Sequence, residues 1–246
     1  MAAAQRSLPR IDTFDFQPGR ILARKYEVLS RLGSGWEGEV YLVRERTTGI
    51  ERAIKVFYPH RNPKDRAITF YARKLHHLRH CGMLIQYHTE ETMQFKRTPI
   101  KLLVSEYFEG DVLELFIKRQ PGRRLTPFVA VHLLHSLARG IESIHRHREY
   151  HGDLHSGNII LRRSGLGFDI KLIDFFYWRL PRRERLQNDI CDLIRIFYDA
   201  LGGQKRYASH RPEIKYICCG LRRTLILKKF PTVTALREHL EVMSWS

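Results

Sequence analysis

The chain carries the stretch His151-Gly152-Asp153-Leu154-His155-Ser156-Gly157-Asn158-Ile159-Ile160-Leu161, followed by Leu172-Ile173-Asp174-Phe175-Phe176. Two carboxylates and a carboxamide, Asp153, Asp174 and Asn158, thus stand next to apolar runs typical of short strands. Mg²⁺ takes oxygen ligands and shares them with phosphate oxygens, while a separate carboxylate can orient an attacking hydroxyl. The stretch therefore indicates chemistry on a magnesium nucleotide, although either string alone also fits a polar turn or a buried strand end.

The length, composition and net charge of the chain limit the classes of protein to which it can belong. The chain has 246 residues, of which 43% are apolar, so it can form one large domain or a two-lobed one with a proper core. The formal net charge of +17 favours an anionic partner. The four cysteines show no C-x-x-C spacing, and neither a signal peptide nor a run of 18 apolar residues occurs. These features predict a cytoplasmic protein without a transmembrane segment.

A glycine cluster, Gly33-Ser34-Gly35-Trp36-Glu37-Gly38, lies between two runs of alternating apolar residues. This pattern predicts a β-hairpin whose turn lets the backbone approach a ligand closely. G-x-G-x-x-G is also the fingerprint of a dinucleotide-binding fold, but there the glycines open a helix. Here Val40-Tyr41-Leu42-Val43 continues as a strand, which favours a hairpin over a nucleotide-binding helix.

The next strand, Glu51-Arg52-Ala53-Ile54-Lys55-Val56-Phe57, holds one lysine among apolar residues. A charged side chain in such a strand is costly unless it meets an anion or points outward to solvent. The preceding glycine cluster favours the first explanation.

Together these motifs resemble the protein-kinase-like superfamily, in which a glycine-rich loop, a strand lysine, H-x-D…N and D-F-G occur in this order. The resemblance covers about residues 25–242. It implies an α+β bilobal fold with Mg-ATP between the lobes. The expected divisions are an N-terminal arm (1–24), an antiparallel-sheet N-lobe (25–104), a hinge (105–108) and a helical C-lobe (109–246).

The resemblance also assigns roles to individual residues. Asp153 would be the catalytic base and Lys55 would hold the α- and β-phosphates, while Asn158 and Asp174 would bind Mg²⁺. The other expected ATP-binding positions lie in the phosphate loop, the adenine pocket and the hinge backbone: Gly33, Ser34, Gly35, Gly38, Val40, Ala53, Glu106, Phe108 and Ile160.

Two positions depart from the family pattern. A helix is predicted over 64–80, and the family's glutamate that pairs with the strand lysine aligns with Tyr71; no glutamate occurs between Glu51 and Glu90. Either Glu37 or Glu39 takes over this pairing, or phosphate positioning is impaired. Phe176 stands in place of the glycine of D-F-G, which favours a fixed loop.

The segment after Asp174 is short. Only 14 residues, from 175 to 188, precede Asp189, which aligns with the aspartate that ties down the catalytic loop. No full activation segment or A-P-E motif fits there, and Phe230 replaces the arginine that pairs with that motif. The short segment and His155, in place of a lysine, resemble compact aminoglycoside and lipopolysaccharide kinases and small atypical protein kinases.

Helix signals occur at 112–118 and from Thr126-Pro127 to about His147, and the tail predicts two closing helices, at 212–220 and 234–242. The predicted function is ATP- and Mg-dependent phosphorylation of protein serine or threonine. A sugar or glycolipid kinase and a nucleotide-binding pseudokinase scaffold are the alternatives. The basic run 179–185 indicates an acidic protein or an anionic glycolipid as substrate, whereas a nucleic-acid partner rests on charge alone.

Overall fold

The computed structural model describes residues 10–165, 167–175 and 181–244. The chain divides into two compact units. Of the described residues, the first unit holds those up to Arg79 and the segment Ile85–Phe108, and the second holds His80–Leu84 and those from Glu109 onward. The first unit is built on an antiparallel sheet and the second is mostly helical, so the predicted α+β class is confirmed.

The first unit contains a six-stranded sheet in the order β1-β2-β3-β4-β6-β5 and one long helix, α1. The bounds are β1 Ile21–Leu22, β2 Tyr26–Ser34, β3 Gly38–Glu45, β4 Glu51–Phe57, α1 Arg66–His77, β5 Tyr87–Phe95 and β6 Thr98–Glu106.

The two faces of this sheet differ in burial because side chains alternate along a strand. One face of β3 and β4 carries the fully buried side chains of Tyr41, Val43, Ile54 and Val56. The other face carries the half-buried side chains of Val40, Leu42, Ala53 and Lys55. The predicted nucleotide-binding residues of these strands therefore share the accessible face.

The segment before β2 packs against the buried face, which the prediction of an aperiodic arm did not include. Ile11, Phe14, Phe16 and Leu22 belong to the same core cluster as the buried residues of β3 and β4. The Phe14 ring centroid lies 5.3 Å from that of Phe95. The segment 10–22 thus contributes these four side chains to the first unit's core.

The second unit contains a three-stranded sheet, β7-β8-β9, and seven helices within the described residues. The bounds are β7 Asp111–Val112, α2 Leu113–Lys118, α3 Pro127–Arg146, β8 Ile159–Ser164, β9 Gly167–Leu172, α4 Arg182–Ala200, α5 Gln204–Tyr207, α6 Pro212–Cys218, α7 Arg223–Lys229 and α8 Val233–Val242. Helix α3 begins where the sequence indicates, because the Thr126 side chain caps it by accepting from Val129 N at 3.4 Å.

After α4 the described chain has two helices more than predicted, the short α5 and α7. Helix α7 lies between the two expected helices and includes most of a basic run. Phe230, at the position of the family's buried arginine, is 2% exposed and fills that position with an apolar ring. None of the helices in the described ranges has both the length and the apolar character needed to cross a membrane.

Candidate active site

The glycine-rich segment forms the turn between β2 and β3. Gly35 N donates to Gly38 O at 2.9 Å and closes this turn. A Cβ on Gly38 would lie 2.0 Å from the Val56 carbonyl oxygen, so only glycine lets β3 start this close to β4. A Cβ on Gly33 or Gly35 would meet nothing within 4 Å, and neither residue has a positive φ. The fold itself therefore does not require glycine at those two positions.

Lys55 lies on the half-buried face of β4 and meets a carboxylate from the glycine-rich turn. Its Nζ is 2.9 Å from Glu37 Oε2, with side-chain exposures of 13% and 19%. The Tyr71 hydroxyl donates to the same Oε2 at 2.9 Å and lies 3.4 Å from Lys55 Nζ. Of the two glutamates considered from the sequence, Glu37 is the one paired with Lys55.

Glu39 is buried on the opposite face and has a structural role. Its carboxylate accepts from Thr13 Oγ1 at 2.9 Å, from Phe14 N at 3.1 Å, and from the hydroxyls of Tyr41 and Tyr58. Burial by itself raises the pKa of Glu39, but these hydrogen bonds outweigh burial and hold that pKa below its ordinary value. Glu39 thus ties the N-terminal segment to β3.

The strand register brings Val40, Ala53 and Lys55 together on neighbouring strands. Val40 pairs with Lys55, and Ala53 pairs with Ser105 of β6. The Ser105 hydroxyl donates to the Ala53 carbonyl oxygen at 3.3 Å. Directly paired residues of antiparallel strands project to the same face. The residues expected at the adenine and phosphates in this unit are therefore neighbours.

The predicted hinge residues end the first unit. Glu106 is the last residue of β6, and its backbone N donates to Gln86 O at 2.9 Å. Phe108 is the last residue of this unit. Ile160, the remaining predicted adenine contact, belongs to the second unit, where it pairs with Val112 on β7.

In the second unit the loop that carries Asp153 is held by a buried carboxylate of α4. Asp189 has no exposed surface and accepts from His151 N at 2.8 Å and from Gly152 N at 2.9 Å. His145 Nε2 donates to the same carboxylate at 3.0 Å. The structure thus agrees with the predicted link between Asp189 and the catalytic loop, whereas His145 was not predicted.

Asn158 connects Asp153 to the end of the β8–β9 hairpin. Its Nδ2 donates to Asp153 O at 2.8 Å and to Asp153 Oδ2 at 3.1 Å. Ile173 N donates to Asn158 O at 3.0 Å, so Asp174 follows directly at the same end of the hairpin. Asp174 has φ +53°, a left-handed conformation that is uncommon for residues other than glycine, although aspartate adopts it more readily than most.

The donors at this hairpin end suit Mg²⁺. With the Asn158 amide N–H₂ directed at Asp153, the amide oxygen is the atom that can meet a cation, together with the Asp174 carboxylate. Mg²⁺ commonly takes one or two protein oxygens and completes its shell with phosphate and water. Within the described ranges no group of three histidine, cysteine, aspartate or glutamate side chains could hold a metal ion.

Asp192, one turn after Asp189 on α4, was not predicted. Burial first, and then the charges of Asp189 and Asp153, raise the pKa of Asp192 to about 7. The i,i+3 spacing of the two aspartates is the sequence signal for this neighbourhood, because such residues share one helix face.

Other predicted features lie near this loop. His155 Nε2 is 3.7 Å from Asp153 Oδ2, and its Nδ1 accepts from Gly157 N at 3.0 Å. Arg182 and Arg183 are exposed in the first turn of α4. Phe176 and the beginning of the basic run at Arg179 lie outside the described residues.

Comparison with known proteins gives the family. Residues 26–191 match the family model of the protein kinase domain. Mouse cyclin-dependent kinase 15 is 28% identical over 231 residues, which are 89% of this chain and 49% of that protein. Serine/threonine-protein kinase pkn2 of Myxococcus xanthus is 31% identical over 163 residues, 65% of this chain and 19% of that protein. For fray1 of Dictyostelium discoideum, also a serine/threonine-protein kinase, the identity is 29% over 171 residues, 69% and 28% of the two chains. The chain spans about half the length of the first relative and less of the others.

Proposed function

The chain belongs to the protein kinase family, and from this premise we propose that it is an ATP- and Mg²⁺-dependent phosphotransferase acting on protein serine or threonine. The bond between the γ-phosphorus and the oxygen bridging to ADP breaks, and a bond to the acceptor's hydroxyl oxygen forms. The hydroxyl loses its proton, and ADP leaves. Such a reaction needs orientation of the hydroxyl and neutralisation of phosphate charge more than covalent chemistry.

Asp153 is the proposed base. The observation that carries this proposal is the way its carboxylate is fixed: Asn158 donates to Asp153 Oδ2, and Asp189 accepts from the two backbone N–H groups just before Asp153. A carboxylate with both its side chain and its backbone fixed can receive a proton from one constant direction.

Asn158 and Asp174 would hold Mg²⁺, supported by their oxygen donors at one hairpin end. When bound, the ion neutralises phosphate charge. Asn158 would then serve twice, through its N–H₂ on Asp153 and through its oxygen on the metal. The Asn158 side chain would thereby contact both the proposed base and the metal ion.

Lys55 and the glycine-rich turn would bind the phosphates. Gly33 and Gly35 support this role, because the fold gives no other reason for glycine there and a Cβ would hinder close approach of a phosphate to the backbone. The remaining proposed contacts are Ser34 and Gly38 at the phosphates, Val40, Ala53 and Ile160 at the adenine faces, and the backbone of Glu106 and Phe108 at the adenine edge.

An acidic protein is the proposed acceptor, supported by the net charge of +17 and by exposed Arg182 and Arg183 on α4. A sugar or an anionic glycolipid is the second candidate, because His155 stands where protein kinases carry a lysine and only 14 residues separate Asp174 from Asp189. Nucleic acid is supported by charge alone. A cytoplasmic location is proposed because all four cysteines are free thiols.

Transfer of label from [γ-³²P]ATP tests the function and its acceptor. The chain is incubated with Mg²⁺ and either a protein pool or a glycolipid pool, with a chelator control. We expect label on serine or threonine of proteins, lost when the chelator removes Mg²⁺. Label confined to glycolipid would favour the second acceptor, and Mg-dependent nucleotide binding without transfer to either pool would favour a pseudokinase scaffold.

A further inference from the structure

The strand lysine lacks the helix glutamate that the family pattern provides. Helix α1 presents Tyr71 to Lys55 instead, and no glutamate occurs between Glu51 and Glu90. An ammonium that binds phosphate must be held in one direction, and a hydroxyl alone cannot neutralise it. The first unit supplies the missing charge from a different element.

Glu37 comes from the turn between β2 and β3, and its backbone is held by Tyr58, the residue that directly follows β4. Tyr58 N donates to Glu37 O at 2.9 Å, and the absence of a side chain on Gly38 lets the two strands approach at this point. The carboxylate is therefore directed at Lys55 from a neighbouring part of the sheet, 2.9 Å from Nζ.

Tyr71 completes the group from the helix side. Its hydroxyl donates to Glu37 Oε2 at 2.9 Å, and its ring centroid lies 4.4 Å from Lys55 Nζ. The hydroxyl thus orients the carboxylate, and the face of the ring adds an attraction for the ammonium.

We propose that Glu37 is the positioning residue for Lys55, replacing the helix glutamate of the family, and that Tyr71 acts through Glu37. This inference rests on the proposed phosphotransfer and deepens it. The orienting carboxylate then comes from the glycine-rich turn. The direction of the Lys55 ammonium therefore depends on the conformation of that turn rather than on a glutamate of helix α1.

The role predicts a particular kinetic signature. Glu37→Gln removes a negative charge beside Lys55, which leaves the attraction for ATP phosphates intact but loosens the direction of the ammonium. We expect kcat to fall about 10- to 100-fold, the range for loss of one charged hydrogen bond, with KM for Mg-ATP changed by less than about threefold. Glu51→Gln is the matched control, because it removes a carboxylate from β4 that pairs only at the surface with Arg44.

A double-mutant cycle separates positioning from a general structural effect. If Glu37 acts through Lys55, then Glu37→Gln lowers kcat by no more than about twofold in a Lys55→Met background. Glu37→Gln behaving like Glu51→Gln, or an equal effect in both backgrounds, would overturn the proposal.

The four proteins of this cycle are the wild type, Glu37→Gln, Lys55→Met and the double variant. They also allow a measurement that does not require turnover. In urea unfolding, the Glu37 and Lys55 replacements should be coupled by at least about fivefold in the unfolding equilibrium constant. If the wild type is inactive but shows this coupling, the proposed phosphotransfer is contradicted while the Lys55–Glu37 pair is still supported. Additive replacements in unfolding would overturn the pair whether or not the wild type is active.

Discussion

Asp189 shows how one buried carboxylate can fix the loop that carries Asp153. Its oxygens accept two consecutive backbone N–H groups just before Asp153. Asparagine keeps the shape but turns one acceptor into a donor that faces an N–H group. We expect Asp189→Asn to lower the free energy of unfolding by about 2–4 kcal/mol and to reduce phosphotransfer, as measured by urea denaturation and steady-state kinetics.

Asp169→Asn is the matched control for this replacement. Asp169 pairs with Arg162 at the surface, with Nε and Oδ2 3.1 Å apart and both side chains largely exposed. Its loss should cost less than about 1 kcal/mol. Equal losses of stability in the two variants would contradict a special role for Asp189.

Asp192 makes stability depend on pH. Because its pKa is raised from 3.8 to about 7, the folded chain retains a proton that the unfolded chain releases. Its stabilising contribution is complete below about 3.8 and is lost as pH rises towards about 7. Asp192→Asn cannot ionise, so it should stabilise the fold at pH 8 and much less at pH 4. Urea unfolding at both pH values measures this, and a difference independent of pH would refute it.

At the scale of elements, the N-terminal segment should behave as part of the folded sheet unit. Phe14 is 5% exposed and packs against Phe16, Tyr58 and Phe95. We expect Phe14→Ala to lower the free energy of unfolding by about 3–5 kcal/mol. Phe128→Ala is the control, because Phe128 is 64% exposed. This change should lower the free energy of unfolding by less than about 1 kcal/mol. Similar losses at both positions would argue for a loosely attached arm.

Local patterns predicted some elements better than others. Alternation in β3 and β4 and the Thr126-Pro127 signal of α3 are strong local features, and both elements form. The β5–β6 turn places Lys96 at φ +48° and Arg97 at φ +64°, where asparagine and glycine are the usual signal. Helix α7 was not predicted either, because it lies in a basic run and because tertiary packing rather than composition determines whether such a short helix forms.

At the scale of the whole molecule, the order of motifs predicted the family and the α+β class. The proximity of Asn158 to Asp153 follows from their short spacing in the sequence. The proximity of Val40 to Lys55 follows from the pairing of β3 with β4. The choice of Glu37 over Glu39 could not follow from spacing, because Glu39 lies within β3 whereas Glu37 lies in the turn before it, where the alternation of strand side chains does not apply. The Glu39 cluster with residues 13–16 depends on contacts about 25 residues apart, which no local pattern reveals.

The charge of the whole chain also predicts a measurable effect. With a net charge of +17, exposed Arg182 and Arg183 should help attract an acidic protein acceptor. Changing both to glutamate should raise KM for such an acceptor by about fivefold or more at low salt, with a smaller effect at high salt. An unchanged KM would show that these arginines do not contact or steer the acceptor.

Asp153 is the residue on which the proposed phosphotransfer depends, so its replacement is the most direct measurement. Asp153→Asn keeps the side-chain size and should leave the Kd of a Mg-bound, non-hydrolysable ATP analogue within about threefold of wild type. Its kcat for transfer to protein should fall at least about 100-fold, the usual contribution of a general base. An Asp153→Asn protein that transfers phosphate at the wild-type rate would contradict the assignment of Asp153 as the base.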